Sequence, residues 1–184
     1  MLLHRRDISG SQREVLLRAS WGMLYAHYEG FAKFCLSVFY AEAKQRISAC
    51  HELPANTRVF AHSKLIKTLR QLPADQFLSA VENFGTNHAS TPPEFPDVDT
   101  DANLWPNLLI DLLNAADIDA NFVEKHRQKL RTLVKRRNGI AHGEEDIIPE
   151  VRYYLEFEQA VYEIMYDLAF SVDARLSAPP YGTS

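Results

Sequence analysis

Cysteine is scarce in this chain: 184 residues carry two, Cys35 and Cys50, with no repeated spacing. That excludes a disulfide framework and a cysteine zinc site, and it reads as two reduced thiols in a cytoplasmic protein. Long apolar runs are missing too. No stretch approaches the roughly twenty apolar residues that span a bilayer. The leading "MLLHRRDISGSQRE" meets charge after two apolar residues, unlike a signal peptide. Positive charge is not in excess, with 20 Lys and Arg against 24 Asp and Glu and a net charge of −4. Any attraction for nucleic acid must therefore be local. Strand signals are absent, since no alternating run is bounded by turn residues. His4, His62, His88 and His126 form no ligand cluster and no H-E-x-x-H occurs, so neither metal nor cofactor is expected.

What the sequence does contain is helical periodicity. Hydrophobic residues make up 46% and charged residues 24%, the mix of a soluble globular domain. Ser11 with Glu14 three residues later reads as a capping box opening a helix over about 11–47. Along it, Leu17, Trp21, Leu24, Tyr25, Tyr28, Phe31, Cys35 and Phe39 recur at spacings of three and four. Gly22 and Gly30 interrupt it, as small residues do where helices cross closely. Further helices are predicted over about 57–72, from Pro73, from about residue 104, over 119–142 and after Pro149. Residues 84–103 are aperiodic and proline-rich and read as a surface loop, and 177–184 as a flexible tail. The prediction is one all-α domain, an up-and-down bundle of about five helices with its core over about 11–172.

One helix concentrates charge. Within "KHRQKLRTLVKRR", Lys125, Arg127, Lys129, Arg131, Lys135, Arg136 and Arg137 occupy little more than three turns. A solvated face beside a helix C-terminus accounts for most of these on charge alone. A phosphate-tracking surface is the sharper reading. Arg137 departs from both. It lies in the apolar stripe Leu130, Leu133, Val134, Ala141, where a cation is costly unless paired or placed at a cleft. Glu29 is a carboxylate that could meet it. His142 follows five residues later, a rotation of about 140° on a regular helix. Two routes bring the pair together: a last turn loosened by Asn138-Gly139, or a second copy of the chain. Arg46 and His51 share the spacing without the company.

"RRNGIAHGE" at the end of a basic helix resembles the R-x4-6-H motif of the HEPN superfamily. "RASWGMLYAHYEGFAK", residues 18–33, is similar to the first helix of a bacterial HEPN subfamily found alone or beside restriction and toxin loci. The resemblance implies a metal-independent endoribonuclease, a homodimer with its site at the subunit interface, acting as a toxin or defence effector. It makes Arg137 the motif arginine, Asn138 the polar residue after it, and His142 the motif histidine. An imidazole titrating near neutrality can move a proton at an RNA 2′-hydroxyl or 5′-oxygen, and a guanidinium suits a charged phosphate transition state. Single-stranded or looped RNA is the implied substrate, because in-line attack needs a splayed nucleotide. Lys135, Arg136 and Arg131 are expected to contact the RNA backbone. Glu29 either supports Arg137 or lines the site, and Tyr25 is expected in the core with a structural hydrogen bond. Gly143-Glu144 replaces the H-x-Y of tyrosine-modified HEPN toxins, so an antitoxin or defence partner would act by another route. A non-catalytic HEPN module binding RNA, nucleotide or protein, or a plain dimerisation domain, are the competing readings.

Overall fold

In the computed structural model, which describes residues 9–144 and 148–182, the helical periods become eight α-helices. They are α1 (Gly10–Arg46), α2 (Ala55–Ala61), α3 (Ser63–Leu69), α4 (Ala74–Glu82), α5 (Phe84–His88), α6 (Pro106–Ala115), α7 (Asn121–Ala141) and α8 (Val151–Ser177). No strand occurs among the described residues, so the chain is all-α as expected. No helix among them is long and apolar enough to cross a membrane. His4 and the acidic pair Glu145 and Asp146 lie outside the described residues.

The helix starts follow local chemistry with one shift. The capping box sits two residues earlier than predicted. Ser9 Oγ accepts from the Gln12 amide at 3.2 Å while Gln12 Oε1 accepts from the Ser9 amide at 2.8 Å. Pro106 occupies the first position of α6, where its missing N–H costs nothing. The stretch predicted as one helix over 57–72 is two, because the backbone leaves the helical well at His62 (φ −90°, ψ 5°).

The described chain divides into two compact units. Among the described residues, the first comprises 9–33, 100–110, 120–144 and 148–169. Its core is the α1 stripe Leu17, Trp21, Leu24, Tyr25, Tyr28 with Leu130, Leu133 and Val134 of α7 and Phe157, Val161, Ile164 and Leu168 of α8, all buried. Phe31 of the predicted α1 stripe is only half-buried.

Among the described residues, the second unit comprises 34–99, 111–119 and 170–182. Phe39 and Tyr40 pack there with Tyr181, Phe60 and Phe95. The Asp117 carboxylate accepts from the Thr57 amide and hydroxyl, both at 2.9 Å, and so caps the start of α2. Two expectations fail here. The segment from 84 is not a bare surface loop: it holds α5, buries Val98, and is bonded through Thr91 and Ala89 carbonyls to the amides of Cys50 and His51. Residues 177–182 of the predicted tail do not fray, and 183–184 lie outside the described residues. Tyr181 is 5% exposed, its ring against Phe39 and under the Arg175 guanidinium, so apolar burial holds it.

Gly22 and Gly30 do not mark close helix crossings. A Cβ built at either meets nothing within 4 Å.

Candidate functional site

The site belongs to the first unit and is built by α1, the C-terminal half of α7 and the turn before α6. Arg18, Trp21, Tyr25 and Glu29 recur at three and four residues, so they form one stripe along α1. Each touches the end of α7. Arg18 Nη2 donates to the Glu144 carbonyl at 2.9 Å. The Trp21 indole N–H donates to the Leu133 carbonyl at 3.0 Å, inside the core. The Tyr25 ring lies under the Arg137 guanidinium, 4.1 Å from its carbon. Glu29 Oε2 is 3.9 Å from Arg137 Nη2.

Arg137 is half-buried and therefore held from several sides. Its Nη1 donates to Asn138 Oδ1 at 2.9 Å and to Asn103 Oδ1 at 3.1 Å. Two amide oxygens on one guanidinium nitrogen, an aromatic face below and a carboxylate beside it settle the cost of placing a cation in an apolar stripe. Glu29 is bound up with this support: its Oε1 is buried with no hydrogen-bond partner among the described residues, out of reach of solvent. The Tyr25 hydroxyl accepts from the Leu104 amide at 2.8 Å. Burial, with the Glu29 carboxylate adding to it, pushes that hydroxyl up to about 12, so it stays protonated.

His142 is the C-cap of α7 and is exposed. The last turn is not loosened by Asn138-Gly139. The His142 amide donates to the Asn138 carbonyl at 3.0 Å, and the helix runs on to Ala141. Gly143 then turns left-handed (φ 77°), its amide donating to the Ile140 carbonyl while the Glu144 amide reaches the Gly139 carbonyl. This is a Schellman cap, and Gly143 is the residue that lets it form. The regular turn therefore keeps Arg137 and His142 about 140° apart around the axis. Ala141, assigned to the apolar stripe with Arg137, is exposed.

The basic helix is less free than its composition implies. Lys125 pairs with Glu163 at 3.1 Å, Arg127 is tied to Glu124 and Asn107, and Lys129 bonds the Glu156 carbonyl at 3.3 Å. Arg136 is half-buried, its guanidinium 5.8 Å from the Trp21 ring and 5.2 Å from Tyr153. Arg131 and Lys135 are exposed and make no ion pair among the described residues. Arg131, Lys135, Asn138 and His142 fall at offsets of four, seven and eleven, within about 60° of one another on the helix. They form one exposed strip, and Asn138, half-buried, joins that strip to Arg137 through its side-chain oxygen.

Three contributors lay outside the sequence reading. Arg18 and Trp21 fall on the same α1 stripe as Tyr25 and Glu29, a signal that the spacing carries. Asn103 had none, since it sits in an aperiodic stretch. On the far side of α7, His126 is buried and its Nε2 lies 3.2 Å from Glu163 Oε2 without hydrogen-bond alignment; burial lowers its pKa. Among the described residues, no three His, Cys, Asp or Glu side chains converge as metal ligands.

The family model HEPN_MAE_28990-like HEPN matches residues 1–181. No curated protein and no solved structure matches the chain.

Proposed function

The chain belongs to the HEPN_MAE_28990-like HEPN family, and from that membership together with the α7 strip we propose that it is an endoribonuclease working as a homodimer. HEPN domains serve as nuclease-type or RNA-binding modules. The observation that carries the nuclease reading is the strip itself. Arg131 and Lys135 offer cations in line with an exposed imidazole, and Asn138 couples that line to a fixed guanidinium.

In this reading Arg131 and Lys135 follow the RNA backbone as exposed point charges. Arg137 faces the scissile phosphate and stabilises the charge that builds as the 2′-oxygen attacks. His142 takes the 2′-hydroxyl proton or supplies one to the departing 5′-oxygen, leaving a 2′,3′-cyclic phosphate. The bond formed is 2′-oxygen to phosphorus; the bond broken is phosphorus to 5′-oxygen. No metal ion enters this scheme. Since one chain sets its Arg137 and His142 on different sides of α7, the reacting pair comes from two chains related by a two-fold axis. A toxin or defence role, with an antitoxin or defence-system partner and a cytoplasmic setting, is the biological frame we propose for such an activity.

The test is cleavage of single-stranded RNA with chelator present. Wild type cuts and leaves cyclic phosphate ends, while Arg137→Ala and His142→Ala fall by at least about a hundredfold. Cutting that survives both substitutions, or that needs a divalent ion, removes this mechanism. Binding without cutting supports a non-catalytic RNA module. The divergence of Arg137 and His142 within one chain is what favours that second reading.

A further inference from the structure

We propose that Asn103 is a positioning residue for Arg137, and that the turn Thr100–Asn103 exists in its strained form to deliver it. The inference rests on the nuclease reading for its catalytic consequence and on geometry alone for its physical content.

The turn is unusual. Asp101 and Ala102 both have positive φ, 50° and 57°, and the Asn103 amide closes back onto the Thr100 carbonyl at 3.0 Å. Glycine or asparagine ordinarily fills such positions, because a Cβ crowds the backbone there. A side chain at both, with alanine at one, means that neighbours fix the shape. Thr100 is buried on one side. On the other, the Leu104 amide is held by the Tyr25 hydroxyl at 2.8 Å and Leu104 is fully buried. The residue pinned between these anchors is Asn103, and its Oδ1 meets Arg137 Nη1 at 3.1 Å.

The chemistry favours an amide in this place. Arg137 is donor only, so its neighbour must accept. A second carboxylate beside Glu29 would neutralise the guanidinium and weaken its hold on phosphate, whereas a neutral oxygen orients it and leaves its charge available. Asn138 supplies the same kind of oxygen from within α7, but as the next residue along it moves with Arg137. Asn103 is the fixed reference outside the helix, and the guanidinium cannot turn without breaking that bond.

Two measurements on the full-length protein test this. The first is the side-chain 15N spectrum, with the Arg137 signal assigned through Arg137→Lys. Rotation about its terminal C–N bond should be slowed in wild type, fast in Asn103→Ala and slowed again in Asn103→Asp, which restores an acceptor. The second is steady-state RNA cleavage. Asn103→Ala should lower kcat by roughly ten- to hundredfold with KM little changed, and Asn103→Asp should keep the orientation yet bind RNA more weakly. If Arg137→Ala is inactive while Asn103→Ala matches wild type in kcat, the inference falls and the nuclease reading stands. If wild type does not cut RNA, the nuclease reading falls, and an Arg137 signal that Asn103→Ala leaves unchanged overturns the inference as well.

Discussion

Gly143 looked like a departure from a motif, and its backbone gives it a different meaning. At φ 77° with open space around its missing Cβ, it is required by conformation and not by crowding. Gly143→Ala should therefore destabilise the protein by about 1–2 kcal/mol, read by denaturant unfolding. Tyr25→Phe is the companion test. It keeps the ring under Arg137 and strips the acceptor from the buried Leu104 amide, so about 1–3 kcal/mol should be lost. Protonation matters at this scale too. Burial is the first cause of the lowered pKa of both His126 and His62. The unfolded chain then takes up protons that the folded chain resists, so stability is complete above the ordinary value near 6.5 and falls as pH drops below it. Unfolding free energies at neutral and mildly acid pH should differ accordingly, and His126→Leu should flatten the slope. Arg137 stands out in the sequence because charge in an apolar stripe is conspicuous, whereas Asn138 and His142 come only from the motif resemblance. Asn103 does not stand out, because only a tertiary contact gives it meaning.

Element by element, α1 and α7 carry the account. The period of α1 announced its buried stripe, and that stripe grips α7 through Arg18, Trp21, Tyr25 and Glu29. Trp21 is fully buried, packs on Phe157 at 4.7 Å and bonds Leu133, so Trp21→Ala should cost about 3–5 kcal/mol and disorder the end of α7. Gly30 contributes nothing of this kind. With empty space at its Cβ, Gly30→Ala should stabilise α1 by about 0.5–1 kcal/mol, seen as a raised midpoint. The sequence placed the long helices well, since apolar period and capping residues are local signals. It missed the break at His62 and set the capping box of α1 two residues too late. It overstated the free charge of α7, because the carboxylates that engage Lys125 and Arg127 are invisible to a count of cations.

For the molecule as a whole, the all-α class followed from the absence of strand signals, while the division into two compact units did not. Segments far apart in the chain make up each unit, and no local composition marks where one gives way to the other. Family membership makes the helical scaffold a nuclease-type or RNA-binding module in general terms, and the α7 strip supplies the chemistry proposed for it. What the proposal most needs is proof that Arg137 and His142 act from different chains. Mixing Arg137→Ala with His142→Ala subunits, each inactive alone, measures this directly. Random pairing leaves half the dimers mixed, each with one intact site of two, so cleavage should return to about a quarter of wild type. A mixture as inactive as its components would contradict the shared site.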